Sequence, residues 1–268
     1  MPSSDLPVWK QMVAGGAAGF SSCLAGYPMD LIKTSLQAQK LDMKGLMREK
    51  VLNIWRGSLF PLLVGTASGA FYFMILEQTR SLIKRRTGTE NLTTSLEFLA
   101  GAASGFVSGL MPSFSEVVKI NLQINRTNYK NSFDFVTKQW NREMIRVYFR
   151  SFCLCTAIGA LGSGTFFSTY FYVYNNFFKN SKLAGFYSGA VSSFVTWNVV
   201  FWFDMVKTLV ISSGKEFSVD RLKMQMRSMK SKDLAAIYLL GVVRGVTADS
   251  FSLLTYDVVT KLLKHEKL

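Results

Sequence analysis

Three times in this chain an acidic residue lies 15 positions beyond a glycine set in a cluster of small side chains, and a lysine follows three positions later. From Gly15, Gly101 and Gly189 the count lands on Asp30, Glu116 and Asp204, then on Lys33, Lys119 and Lys207. The clusters read Ala14-Gly15-Gly16-Ala17-Ala18-Gly19, Ala100-Gly101-Ala102-Ala103-Ser104-Gly105 and Ser188-Gly189-Ala190-Val191-Ser192-Ser193. One such pair means little, but three in one register mean a single unit present three times, with a period of about 90 residues. The units are assigned to 1–94, 95–182 and 183–268. Small residues at a fixed place in each unit are what helices need to approach closely in lipid.

Each unit continues through a polar, basic segment into a second apolar run, near 57–83, 151–178 and 235–263. A membrane-crossing helix takes about 20 mostly apolar residues, so two runs per unit predict six spans. The composition agrees, with 49% hydrophobic residues, 22 Phe and only 5 Pro. The reading is an all-α membrane protein of six transmembrane helices in three repeats of two. An even number of spans puts both termini on one side and the basic segments near 39–56, 124–150 and 212–233 on the other, the side the charge bias makes the matrix.

The net charge of +14 does not point to nucleic acid, because the basic residues flank spans and are not gathered on one soluble surface. Cys23, Cys153 and Cys155 lie in apolar segments, which argues against a disulfide framework or a metal site. The lone His265 lies among lysines near the C-terminus, and no catalytic constellation or phosphate-binding glycine motif is present, so neither enzyme activity nor a cofactor is expected. No cleavable leader is visible, so targeting is expected to be internal.

The end of each first span resembles the mitochondrial carrier family, whose repeats carry Pro-x-[Asp/Glu]-x-x-[Lys/Arg] with a Gln four residues after the base. Pro28-Met29-Asp30-Leu31-Ile32-Lys33 with Gln37 matches it fully. Phe114-Ser115-Glu116-Val117-Val118-Lys119 with Gln123 loses the proline, and Trp202-Phe203-Asp204-Met205-Val206-Lys207 with Ile211 loses proline and glutamine. Trp55-Arg56-Gly57 is similar to the triplet that opens the family's second helix, and Tyr148-Phe149-Arg150-Ser151 is a weaker copy. Pro61 to Thr66 and Ala100 to Glu116 look like the carnitine, ornithine and amino-acid branch, and Glu116-Val117-Val118-Lys119 looks like the S-adenosylmethionine carriers.

The resemblance implies a pseudo-three-fold bundle around a central cavity that moves a small solute across the mitochondrial inner membrane by alternating access, with both termini toward the intermembrane space. It implies a matrix gate in which Asp30 pairs with Lys119, Glu116 with Lys207 and Asp204 with Lys33, braced by Gln37 and Gln123, with Pro28 bending the first helix. A cytoplasmic gate is implied at Glu77, Arg80 and Asp257, of which Arg80 and Asp257 are expected to form the ionic contact. With three pairs on the matrix side against one, the empty protein is expected to rest open toward the cytoplasm. Substrate contacts are implied at Val64 and Gly65, at Ile158 and Gly159, and at Arg244. An arginine in an apolar helix must face water, an anion or a partner, so Arg244 is the residue expected to bind a carboxylate. Asp249 would hold an amino or quaternary ammonium group. A zwitterionic or carboxylate metabolite therefore fits best, with a nucleotide or cofactor, or a non-transporting membrane adaptor, as the alternatives. A monomer that binds membrane lipid, cardiolipin in particular, completes the expectation.

Overall fold

The computed structural model describes residues 6–37, 59–89, 92–109, 142–179, 181, 183–213, 218–229 and 231–265, together with positions 113, 117, 118, 134, 137 and 138. Among these residues it is helical without strands. The helices are α1 (Val8–Gln37), α2 (Leu59–Thr87), α3 (Thr94–Ser108), α4 (Arg142–Val173), α5 (Ala184–Ser213), α6 (Val219–Ser228) and α7 (Ser231–His265). A single π-helical turn, Tyr174–Phe178, extends α4.

Three helices, Ile145–Phe178, Ala184–Ile211 and Ser231–Lys264, are long and apolar enough by themselves to cross a membrane. The 30 residues of α1 and 29 of α2 are also long enough, at a rise of about 1.5 Å per residue. Their middles are diluted with Gly, Ala, Ser and Thr, residues chosen for helix contact more than for hydropathy. Helix α4 starts at Arg142, ahead of the apolar run expected from 151, because charged residues remain helical beyond the bundle core. The basic segment expected near 212–233 contains the short helix α6.

The helices close into a ring: α1 lies between α2 and α7, α3 between α2 and α4, and α5 between α4 and α7. One end of the ring carries the start of α1, the end of α7 and the short connections after α2 and α4. This is the terminal end, and the opposite one, carrying α6, is the loop end. At the α2–α3 connection Gly88 adopts φ 67° and donates its N–H to Lys84 O, a left-handed stop that only glycine adopts without strain. Large apolar side chains such as Leu63, Phe106, Trp202, Phe203, Leu239 and Leu262 are 52–62% exposed. Exposed apolar surface of this size, spread over four helices, suits a hydrocarbon surrounding.

Neighbouring helices meet through bare backbone. A Cβ placed on Gly19 of α1 would overlap the carbonyl oxygen of Gly65 on α2, and one on Gly69 would lie 2.5 Å from Gly15 O. On α3, a Cβ at Gly105 would overlap the carbonyl oxygen of Gly159 on α4 and stand 2.5 Å from the Ser163 hydroxyl. Between α5 and α7 a Cβ at Gly245 would come within 2.8 Å of Ser193 Oγ. These seams explain the small-residue clusters physically, since close backbone approach maximises van der Waals contact where lipid offers no hydrophobic drive.

Two larger cores and a small cluster of Val117, Val147 and Ile211 are seen among the described residues. At the terminal end Phe73, Leu76, Phe167, Tyr170, Leu253 and Tyr256, from α2, α4 and α7, are all at most 4% exposed. Toward the loop end Trp197, Phe201, Met205 and Leu209 of α5 pack with Ile237 of α7 and with Leu222 and Met226 of α6. Trp197 lies flat enough on Gly241 to exclude any side chain there, and its Nε1 donates to Tyr238 O at 3.2 Å.

Candidate functional site

Arg244 projects from the middle of α7 onto α1. Its Nε lies 2.8 Å from Asp30 Oδ1, and its Nη2 donates to Asp30 Oδ2 at 3.5 Å. The approach is possible because Gly26, one turn before Asp30, has no side chain: a Cβ there would stand 3.3 Å from Arg244 Nε and 3.3 Å from Ala248 Cβ. The Arg244 side chain keeps 33% of its surface accessible and Asp30 16%. A guanidinium so placed is paired with a carboxylate and still reachable over a third of its surface.

Five residues along α7, Asp249 accepts a 2.7 Å hydrogen bond from the Ser193 hydroxyl of α5. Arg244 and Asp30 lie within electrostatic range of it. Tyr72 of α2 stands near Ser163 of α4 and near Asp249, so polar groups from five helices follow one another along the bundle from Arg244 toward the terminal end.

The other expected contact positions have different surroundings. Gly65 and Gly159 lie in the α1–α2 and α3–α4 seams, each against a glycine of the neighbouring helix. Their backbones serve helix packing there. Ile158 packs on the α5–α7 core. Val64 is half-buried on α2.

Of the residues expected at the loop-end gate, Asp204 pairs with Lys207 one turn along α5 at 3.2 Å. Glu116, Lys119 and Gln123 lie outside the described residues, as do the side chains of Lys33 and Gln37, so each expected cyclic pair has one partner beyond them. Pro28 sits inside a continuous α1, where its ring removes the hydrogen bond that the Leu24 carbonyl would otherwise accept.

At the terminal end Arg80 donates from Nε to Glu97 Oε2 and from Nη2 to Glu97 Oε1, both at 2.8 Å. Its guanidinium carbon lies 3.7 Å from the centre of the Phe171 ring, and Nη1 is 3.8 Å from Glu77 Oε2. The expected Arg80–Asp257 contact is thereby corrected. Arg80 finds a nearer carboxylate in the first turn of α3, and Asp257 leans on the start of α5, where a Cβ at Gly185 would be 3.1 Å from its Oδ2. A helix N-terminus is a favourable place for that charge. Glu97 was not anticipated from the motif, although an acid flanked by Leu96, Phe98 and Leu99 carries the same signal that singled out Arg244.

The terminal end also carries a layer of aromatic contacts in this conformation. Tyr72 and Phe167 lie 5.6 Å apart between ring centres, Phe73 and Phe167 6.3 Å, and Phe73 stacks on Tyr256 at 4.1 Å. Side chains of α2, α4 and α7 thus meet at the terminal end and close it. A count of ion pairs does not register this layer, because it is aromatic and apolar.

A ring of membrane-length helices with glycine seams and paired charges at mid-depth defines a helical membrane bundle with an ionised interior. The sequence profile described as mitochondrial carrier protein matches residues 4–87 and 90–181, and the chain belongs to that family. It is 31% identical over 134 residues to a mitochondrial 2-oxodicarboxylate carrier of Pongo abelii, covering 45% of this chain and 44% of that protein. It is 27% identical over 194 residues to the mitochondrial carnitine/acylcarnitine carrier protein of Mus musculus, covering 65% and 64%. The matched stretches span between 26% and 64% of the length of the curated relatives.

Proposed function

We propose that the protein carries a small carboxylate-bearing solute across the mitochondrial inner membrane by alternating access, with Arg244 as the carboxylate contact. The observation that carries this reading is the position of Arg244: mid-helix, a third exposed and steered by Gly26. An ionised group at that depth is expensive unless it serves a partner or a pathway. The relatives support the same chemistry, since a 2-oxodicarboxylate and carnitine share a carboxylate although one is an anion and the other a zwitterion. Asp249 is suited to the cationic end of a zwitterion, with Ser193 holding its second oxygen.

In this reading the acids and bases of the three repeats form the matrix gate, and the layers around Tyr170 and Tyr256 form the cytoplasmic one. Both termini then face the intermembrane space and the basic loops the matrix, following the charge bias. The working unit is a monomer, its loop charges binding anionic lipid such as cardiolipin. The test is uptake by proteoliposomes of carnitine, amino acids, S-adenosylmethionine, oxodicarboxylates and nucleotides, with Arg244→Ala alongside. Uptake of a carboxylate class that Arg244→Ala abolishes is the expected result. Uptake insensitive to Arg244→Ala would remove the residue from the site, and no uptake by folded protein would favour a non-transporting adaptor.

A further inference from the structure

We infer that Asp30 is a resident competitor for Arg244, an internal carboxylate occupying the place a solute carboxylate must take. The inference rests on the reading of Arg244 as the solute's contact. Three observations lead to it. The two groups are joined at 2.8 Å across two helices that are 214 positions apart in the chain. Gly26 presses the guanidinium against the α1 backbone, so the pairing is built into the α1–α7 contact and is not a chance meeting of two flexible side chains. Arg244 is nonetheless a third exposed, which leaves it open to exchange of partner.

An incoming carboxylate replaces Asp30 with a group of the same charge and the same two-oxygen geometry, so the guanidinium is never stripped of an anion. A solute without a carboxylate has nothing to trade and leaves the pair intact. Selectivity thus arises as a difference between two competing anions. Asp30 is on this account a specificity-determining residue as well as a gate residue.

The experiment is equilibrium binding to the purified full-length protein in lipid nanodiscs, using carnitine, carnitine amide and 2-oxoadipate as probes. The comparison is between wild type, Asp30→Asn, Asp30→Glu and the double variant Asp30→Asn/Arg244→Gln. Removing the competitor in Asp30→Asn is expected to tighten the carboxylate probe that wild type binds by about three- to tenfold, the range of a partly exposed ion pair, and to leave the amide unchanged. Asp30→Glu keeps a carboxylate and is expected to stay within about twofold of wild type, and the double variant is expected to lose the gain. A shift of the conformational equilibrium alone would move carnitine and its amide together, and that outcome overturns the inference. So does an unchanged or weakened carboxylate affinity in folded Asp30→Asn. Binding of neither carboxylate probe by wild type, even with uptake of another solute class, would instead overturn the carboxylate reading of Arg244 on which it stands.

Discussion

Ser193 of α5 hydrogen-bonds Asp249 of α7 at 2.7 Å, at the register where α1 and α2 set Gly19 against Gly69 and α3 and α4 set Gly105 against Ser163. The third helix pair thus replaces backbone contact with a charge-assisted bond. Ser193→Ala removes the donor and leaves a carboxylate in the seam without it, at a cost of about 1–3 kcal/mol. Thermal unfolding in detergent should show the loss, and Asp249→Asn, whose amide oxygen still accepts, should lose less. Equal melting of Ser193→Ala and wild type would mean the bond contributes nothing to the fold.

The glycine seams predict a steep contrast in tolerance. Gly19→Leu and Gly105→Leu force a side chain into the backbone of a neighbouring helix and are expected to lower the yield of folded protein severely, with destabilisation above about 3 kcal/mol. Gly88→Ala has open space around it and strain only from its φ of 67°, a cost of about 1 kcal/mol. Size-exclusion profiles and melting curves of the three variants check the order.

The two acids near Arg80 should respond in opposite directions. Glu97→Gln breaks a bidentate pair whose members are 4% and 7% exposed, and should destabilise by about 3–5 kcal/mol, as unpaired buried charges do. Glu77 is 1% exposed and accepts no hydrogen bond among the described residues, so Glu77→Gln removes a buried charge that one long ion pair compensates. Its expected effect on melting is neutral or stabilising by about 1 kcal/mol. A large loss from Glu77→Gln would show that the 3.8 Å contact matters more than its geometry suggests.

The aromatic closure should be weakened by trimming either partner of its closest stack. Phe73→Ala and Tyr256→Ala each remove a stacked ring worth about 0.5–1.5 kcal/mol beyond its burial. In a background with Cys23, Cys153 and Cys155 replaced, a cysteine at the buried Leu76 should then react faster with a membrane-impermeant thiol reagent added from the terminal side. Unchanged reactivity would mean that closure is held elsewhere.

Much of the fold was legible in the spacing of small residues, because close helix approach in lipid admits few side chains and so writes itself into the sequence at fixed intervals. The charged pairs were legible only in part. Arg244 stood out as a base in an apolar helix, but its partner Asp30 had been assigned to a different ring of contacts. Glu97 lies outside the gate motif, which is confined to the even-numbered spans, and only its apolar neighbours mark it. A count from the helix start, such as the one that points to Gly65 and Gly159, gives depth but not face, since each residue turns the helix by about 100°. The closed terminal end was invisible to an argument that weighed charges alone, because Phe73, Phe167, Tyr170 and Tyr256 carry none.

The Arg80–Glu97 fork spans the corner where α2 hands over to α3, its two members eight residues before and nine after Gly88. Two parallel hydrogen bonds to a planar group fix the angle between their carriers as well as the distance. The corner is accordingly braced like a carpenter's square, and the arms that meet there belong to the first and second sequence units. In the alternating-access reading proposed above, α2 and α3 are therefore expected to move as one piece.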